Sequence, residues 1–186
     1  MQEPGENQIK AWSREYEEAP FFFEQKAKAG HRLIAWAEDS TLTKKAFYEM
    51  LESFPQTIEV LLKIEFRENA ESTPLWSRYH GVVDKWRITA IIQQNEIYIF
   101  SDGAHQLCLK DPNGNRYLAF DEHGVFFLYS PTPDDAEIFR SLGFEFRCAE
   151  PIYSKPHFQH VPPDPEKLEM KFLTELGLTK VNSDLD

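Results

Sequence analysis

The chain has 186 residues, 41% of them hydrophobic and 14% aromatic, which sets it apart from disordered chains and gives it enough apolar material for a sizeable core. Twenty basic against 31 acidic residues leave a net charge of −11, which opposes general binding to phosphate backbones and favours basic protein partners through steering. No apolar run approaches the about 18 residues of a membrane span, and the start, MQEPGENQIK, has no apolar leader segment. Cys108 and Cys148 match no zinc or redox spacing, so a reduced, cytoplasmic protein is expected.

The first 30 residues read as helical. Ile9, Trp12 and Tyr16 share one helical face, Pro20 can open a second helix, and Gly30 can end it. LIAWA, 33–37, reads as a short strand. STLTKKAFYEMLESFP places Leu42, Ala46, Phe47, Met50, Leu51 and Phe54 at helical spacing, with Ser and Thr as capping candidates and Pro55 beyond the end. TIEVLLKIEF alternates as a strand with one buried face, broken only by Leu61. Residues 68–80 read as a polar loop. A helix is expected from Val82 to Gln94, with Val82, Trp86 and Ala90 on one face.

Four short runs follow: EIYIF, HQLCLK, RYLAF and VFFLY. They are separated by SDGA, DPNGN and DEHG, each with a glycine where a turn needs positive φ. The pattern predicts a four-strand antiparallel meander over about 96–129. TPDDAEIFRSLGF reads as a helix capped by Thr132, with Pro133 in its first turn, two aspartates at its positive end and Gly143 after it. FEFRC suggests another strand. A proline-rich strap, 151–165, leads to a last helix begun by Asp164 and ended by Gly177. The expectation is one α+β domain over 1–186, with a mainly antiparallel sheet and helices packed on it.

The nucleophile elbow, the Walker A loop, the dinucleotide fingerprint and the zincin helix motif are all missing from the sequence. Asp111, Asn113, Asn115 and Glu122 follow the ligand spacing of a calcium-binding EF-hand loop, but Arg116 stands where that loop requires glycine. Asp-Pro-Asn-Gly is in any case a strong turn sequence. His157 and His160 sit among prolines. In an extended strap they would lie about 9 Å apart along the axis, too far to share a zinc ion that holds each nitrogen at about 2 Å.

FDEHGVFFLY, 120–129, carries the best candidate site. Alternate turns of a meander lie at one end of the sheet, about 10 Å apart. SDGA and DEHG would therefore bring Asp102, His105, Asp121, Glu122 and His123 to one edge. Asp102, His105, Asp121 and His123 suit a metal or acid/base site there. The simpler reading is a polar hairpin tip. Apolar residues on both faces of the meander call for two covers, and Tyr98, Phe100, Tyr117 and Phe126 are candidates to meet an internal cover, a protein partner or a second copy. The expected function is a non-enzymatic protein-interaction module, immunity- or adaptor-like, with no cofactor, nucleic acid or membrane. An enzyme at the Asp102–His123 edge is the alternative.

Overall fold

The computed structural model describes residues 19–27, 30–66, 75–101, 105–148 and 163–181. The expected helix around Trp12, most of the proline-rich strap with His157 and His160, and Asp102 fall outside these residues. In chain order the elements are β1 (Phe21–Ala27), β2 (Gly30–Trp36), α1 (Ser40–Glu52), β3 (Thr57–Phe66), β4 (Leu75–Asp84), α2 (Lys85–Gln94) and α3 (Glu96–Ser101). Then come β5 (His105–Lys110), β6 (Tyr117–Phe120), β7 (Phe126–Tyr129), α4 (Pro133–Ser141), β8 (Glu145–Phe146), α5 (Pro165–Leu176) and β9 (Thr179–Lys180). The strands form one sheet in the order β8-β1-β2-β7-β6-β5-β3-β4-β9. Among the described strands only the β1–β8 pair is parallel. The class is α+β with a mainly antiparallel sheet, as the pattern indicated.

Three segments differ from the sequence reading. Residues 96–101 form helix α3 rather than the first strand of the meander. The amides of Tyr98 and Ile99 both donate to the Asn95 carbonyl, and both side chains are buried while Ile97 is exposed, so burial there does not alternate. The edge of β5 that such a strand would need is taken by β3. The meander therefore has three strands, β5-β6-β7, flanked by β3 and β2.

The segment after Pro20 is strand β1, not a helix. Phe21, Phe22 and Phe23 are all buried. Phe22 belongs to one core cluster, whereas Phe21 and Phe23 belong to another. Strand geometry sends successive side chains to opposite faces, so a sheet covered on both sides accepts three consecutive phenylalanines.

Residues 75–84 form β4, which pairs along all ten residues of β3, where a loop and a helix start were expected. Helix α2 begins only at Lys85, and its buried residues include Ile88, Ile91 and Ile92 rather than Trp86.

Elsewhere the local chemistry matches the elements. Asp39, rather than a Ser or Thr, caps α1, its carboxylate accepting the Leu42 N–H at 2.8 Å. At α4 the Asp135 carboxylate accepts the Thr132 N–H at 2.6 Å, and Gly143 leaves the helix at φ 88°.

The five helices of the described residues all pack on one face of the sheet. Phe47, Met50, Ile92, Tyr98, Phe139 and Phe172 meet Leu62, Leu107, Leu118 and Phe126 there. The second face carries its own buried cluster over β1, β2 and β5–β7: Phe21, Phe23, Ile34, Cys108, Ala119 and Phe127, with Val125. None of the described helix residues belongs to it. Over β3 and β4 the same face changes character. Register pairs Glu59 with Val82, Leu61 with His80, Lys63 with Arg78 and Glu65 with Trp76. Trp76 is 36% exposed there and Val82 60%. The second face is thus closed on one half and open on the other.

Candidate functional site

The β6–β7 turn explains the Asp-Glu-His-Gly sequence first as a turn. The Asp121 amide donates to the Val125 carbonyl at 3.1 Å, and Gly124, at φ 72°, donates back to the Asp121 carbonyl at 3.0 Å. The Asp121 Oδ1 accepts the His123 and Val125 amides at 3.0 and 2.8 Å, the self-bonding that makes aspartate a turn former. Asp121 is buried as a result.

Its other oxygen gives the turn chemical potential. His123 Nδ1 lies 3.5 Å from Asp121 Oδ2 and 3.7 Å from Glu122 Oε1. Ligand atoms of Asp121, Glu122 and His123 all fall within 4.8 Å of one another. The Asp121 carboxylate, 3.5 Å from Nδ1, holds the His123 pKa above its ordinary range against the opposing effect of burial. Burial raises the Glu122 carboxyl, and the negative charges of Asp121 and Glu65 add to that. Glu65 thus reaches the turn electrostatically from β3.

His105 does not join this group. The β5–β6 register, Leu107 opposite Phe120, continues to place His105 opposite Glu122, so it stands at the same end of the sheet as His123. Strand alternation turns it to the helix-covered face with Leu107 and Leu109. There it is 2% exposed, stacked on Tyr98 with ring centres 4.6 Å apart. Burial lowers its pKa to about 4, against a backbone hydrogen bond with Ile99 that pulls the other way. Of the proposed set Asp102, His105, Asp121 and His123, the first lies outside the described residues, the second faces the opposite core, and Glu122 joins the last two.

The interaction set divides in the same way. Tyr98 and Phe100 ride on α3 and pack in the helix-side core, where Phe126 is also fully buried. Tyr117 lies on the second face, stacked on Tyr129 at 4.5 Å. The β6–β7 register pairs Ala119 with Phe127, so Phe127 and not Phe126 shares the second face with Tyr117. These four residues therefore share no surface. DPNGN is a turn, with Asp111 Oδ1 accepting the Asn113 amide at 2.8 Å. Arg116, in the place of the calcium loop's glycine, binds Ser53 and Asp135 instead.

Beside the DEHG turn, on the second face, is a recess of about 170 Å³ lined by Lys63, Trp76, Arg78, Gln106 and Glu122. Lys63 Nζ donates to Gln106 Oε1 at 2.7 Å. Cys108 Sγ lies 3.8 Å from the same oxygen. Burial pushes its thiol up to about 11, with Lys63 acting in the opposite direction, so it is a poor nucleophile at neutral pH. Of the recess residues, sequence reasoning reached Glu122 alone. Lys63, Trp76, Arg78 and Gln106 come together through β4–β3–β5 pairing, a non-local register that no short motif encodes. No helix of the described residues is long and apolar enough to cross a membrane. Comparison with protein-family models, with curated proteins and with solved structures finds no match.

Proposed function

We propose that this chain is a non-enzymatic binding module that holds a protein partner on the open β3–β4 half of its second sheet face. The observation that carries this reading is the contrast along one face: apolar residues over β1, β2 and β5–β7 are buried, whereas Trp76 and Val82 are exposed over β4. An aromatic and an aliphatic anchor framed by Lys63, Arg78 and His80 have the composition of an interface centre with a polar rim. The net charge of −11 disfavours nucleic acid. The free thiols of Cys108 and Cys148 suit a reducing cytoplasm.

A photo-reactive amino acid placed at Val82, with exposed Glu137 of α4 as the control position, tests the reading in cells. The expected result is a discrete adduct from position 82 that weakens with Trp76→Ala and is not seen from position 137. An adduct of twice the chain mass would make the partner a second copy. Equal adducts from both positions, or no effect of Trp76→Ala, would overturn the docking surface.

A second reading, a metal or acid/base centre, is favoured by the Asp121–Glu122–His123 spacing. Two donors each about 2.1 Å from a tetrahedral ion lie about 3.4 Å apart, close to the 3.5 and 3.7 Å between His123 Nδ1 and the two carboxylates. Calorimetric titration with zinc tests it. Saturable binding lost in both Glu122→Gln and His123→Ala supports a centre; heat unchanged by either substitution removes it.

A further inference from the structure

The walls of the second-face recess carry opposite charges. Lys63 and Arg78 are register partners on β3 and β4, so they rise side by side from one face. Glu122 closes the other end, across Gln106 of β5. One Glu122 oxygen, Oε2, is buried with no hydrogen-bond partner among the described residues. Lys63 commits one of its three ammonium donors to Gln106, which leaves others to bind. Trp76 adds an aromatic wall, and an indole face attracts cations.

This set suits a ligand that carries both charges. A bare anion held by Lys63 and Arg78 would face the Glu122 carboxylate, and a bare cation held by Glu122 would face two positive side chains. A molecule with one charge of each sign satisfies both ends. The volume of about 170 Å³ is well below the roughly 300–1,000 Å³ of drug-sized sites, which suits a small ligand. We propose that the recess binds a small zwitterion of amino-acid size, its carboxylate on Lys63 and Arg78 and its ammonium on Glu122 beside the Trp76 ring. This goes beyond the docking reading, with which it shares Trp76, Lys63 and Arg78 but not Gln106 or Glu122.

The test is a nuclear magnetic resonance titration of chelator-treated full-length protein with three matched probes. L-Alanine carries both charges, propionate only the negative one and ethylammonium only the positive one. The signals to follow are the Trp76 indole N–H and the Gln106 side-chain amide, with the Trp36 indole as the control for the fold. Saturable shifts with alanine are expected at an affinity at least about tenfold above either single-charge probe. Lys63→Met and Glu122→Gln should each weaken alanine by about tenfold while leaving the Trp36 signal in place.

Equal affinity for propionate would make the recess a plain anion site, and equal affinity for ethylammonium a plain cation site. Either result, or no saturable shift with alanine, overturns the proposal. The docking surface is scored separately by the cross-link from Val82, so the two readings can fail independently.

Discussion

Replacing Asp135 with alanine tests how three distant segments are tied together. Asp135 is buried at the start of α4, where its carboxylate accepts the Thr132 amide at 2.6 Å and the Thr132 hydroxyl at 3.0 Å. It also receives the Arg116 guanidinium, Nε at 3.2 Å and Nη2 on the second oxygen. Arg116 in turn donates to the Ser53 carbonyl at 3.1 Å at the end of α1 and lies 4.2 Å over the Phe54 ring. The β5–β6 turn, α1 and α4 thus meet at one ion pair, whose side chains are 12% and 1% exposed.

Removing one partner of a buried pair costs about 3–5 kcal/mol, and losing a helix cap about 1 kcal/mol. The two share one carboxylate and do not add in full. Arg116 keeps Ser53 and Phe54, which favours the lower end, about 3 kcal/mol. Against a total stability of about 5–15 kcal/mol this is a large fraction. With a urea slope of about 1–3 kcal/mol per molar, the midpoint should fall by roughly 1–3 M in equilibrium unfolding followed by far-ultraviolet circular dichroism. The double variant Arg116→Met, Asp135→Ala should be less destabilised than the sum of the singles, because it leaves no uncompensated charge. A loss below about 0.5 kcal/mol for Asp135→Ala, the range of ordinary surface changes, would refute the reasoning.

His105 is buried and neutral, with a folded-state pKa of about 4 against an ordinary 6.5. The unfolded chain binds the proton first, so this residue makes stability fall as pH drops from about 6.5 to about 4, by about 3 kcal/mol in total. His105→Gln should flatten that window in urea unfolding at several pH values; an unchanged profile would contradict the buried neutral imidazole. His123 has the opposite sign. Its pKa is raised, so its contribution is present at low pH and lost as pH rises through the folded value. Asp121→Asn should lower the His123 pKa in a proton magnetic resonance titration, and no movement would show that Asp121 is not its partner. A methyl on Gly81 would meet Leu178 Cδ2 at 2.8 Å, where the chain from α5 rises to β9. Because the clash is with a side-chain end, Gly81→Ala should cost about 1 kcal/mol and speed amide exchange at Thr179; a neutral effect on both would show that Leu178 swings clear.

The parts legible in the sequence were those fixed locally. Helix α4 carries its cap, first-turn proline and terminal glycine within a dozen or so residues, and the β6–β7 turn uses Gly124 at positive φ as expected, whereas Gly114 in the β5–β6 turn does not take a positive φ. Where tertiary contacts override local pattern, the reading failed. EIYIF has a strand's composition, yet β3 occupies the edge it would have used, and the segment coils back from Asn95 under α5, where Tyr98 packs on Phe172. LWSRYHGVVD lacks alternation because one side of β4 lies at the open half of the second face, where polar and apolar residues both meet water. The candidate site was half legible. Consecutive pairing puts His105 and His123 at one end of the sheet. Which face each side chain takes depends on register, and that parity sends His105 to the core. The cationic wall of the recess comes from β3–β4 register, and its floor depends on pairing β3 with β5 across more than 40 residues, which sets Lys63 beside Gln106.

The central claim, a second face closed on one half and open on the other, can be read directly by carbene footprinting of the purified protein with photolysed diazirine and residue-level mass spectrometry. Trp76 and Val82 should label heavily, while Phe23, Ile34 and Phe127 should label only after denaturation. Comparable labelling of Phe127 and Val82 in the native protein would contradict the division of the face and remove the surface on which the proposed function rests.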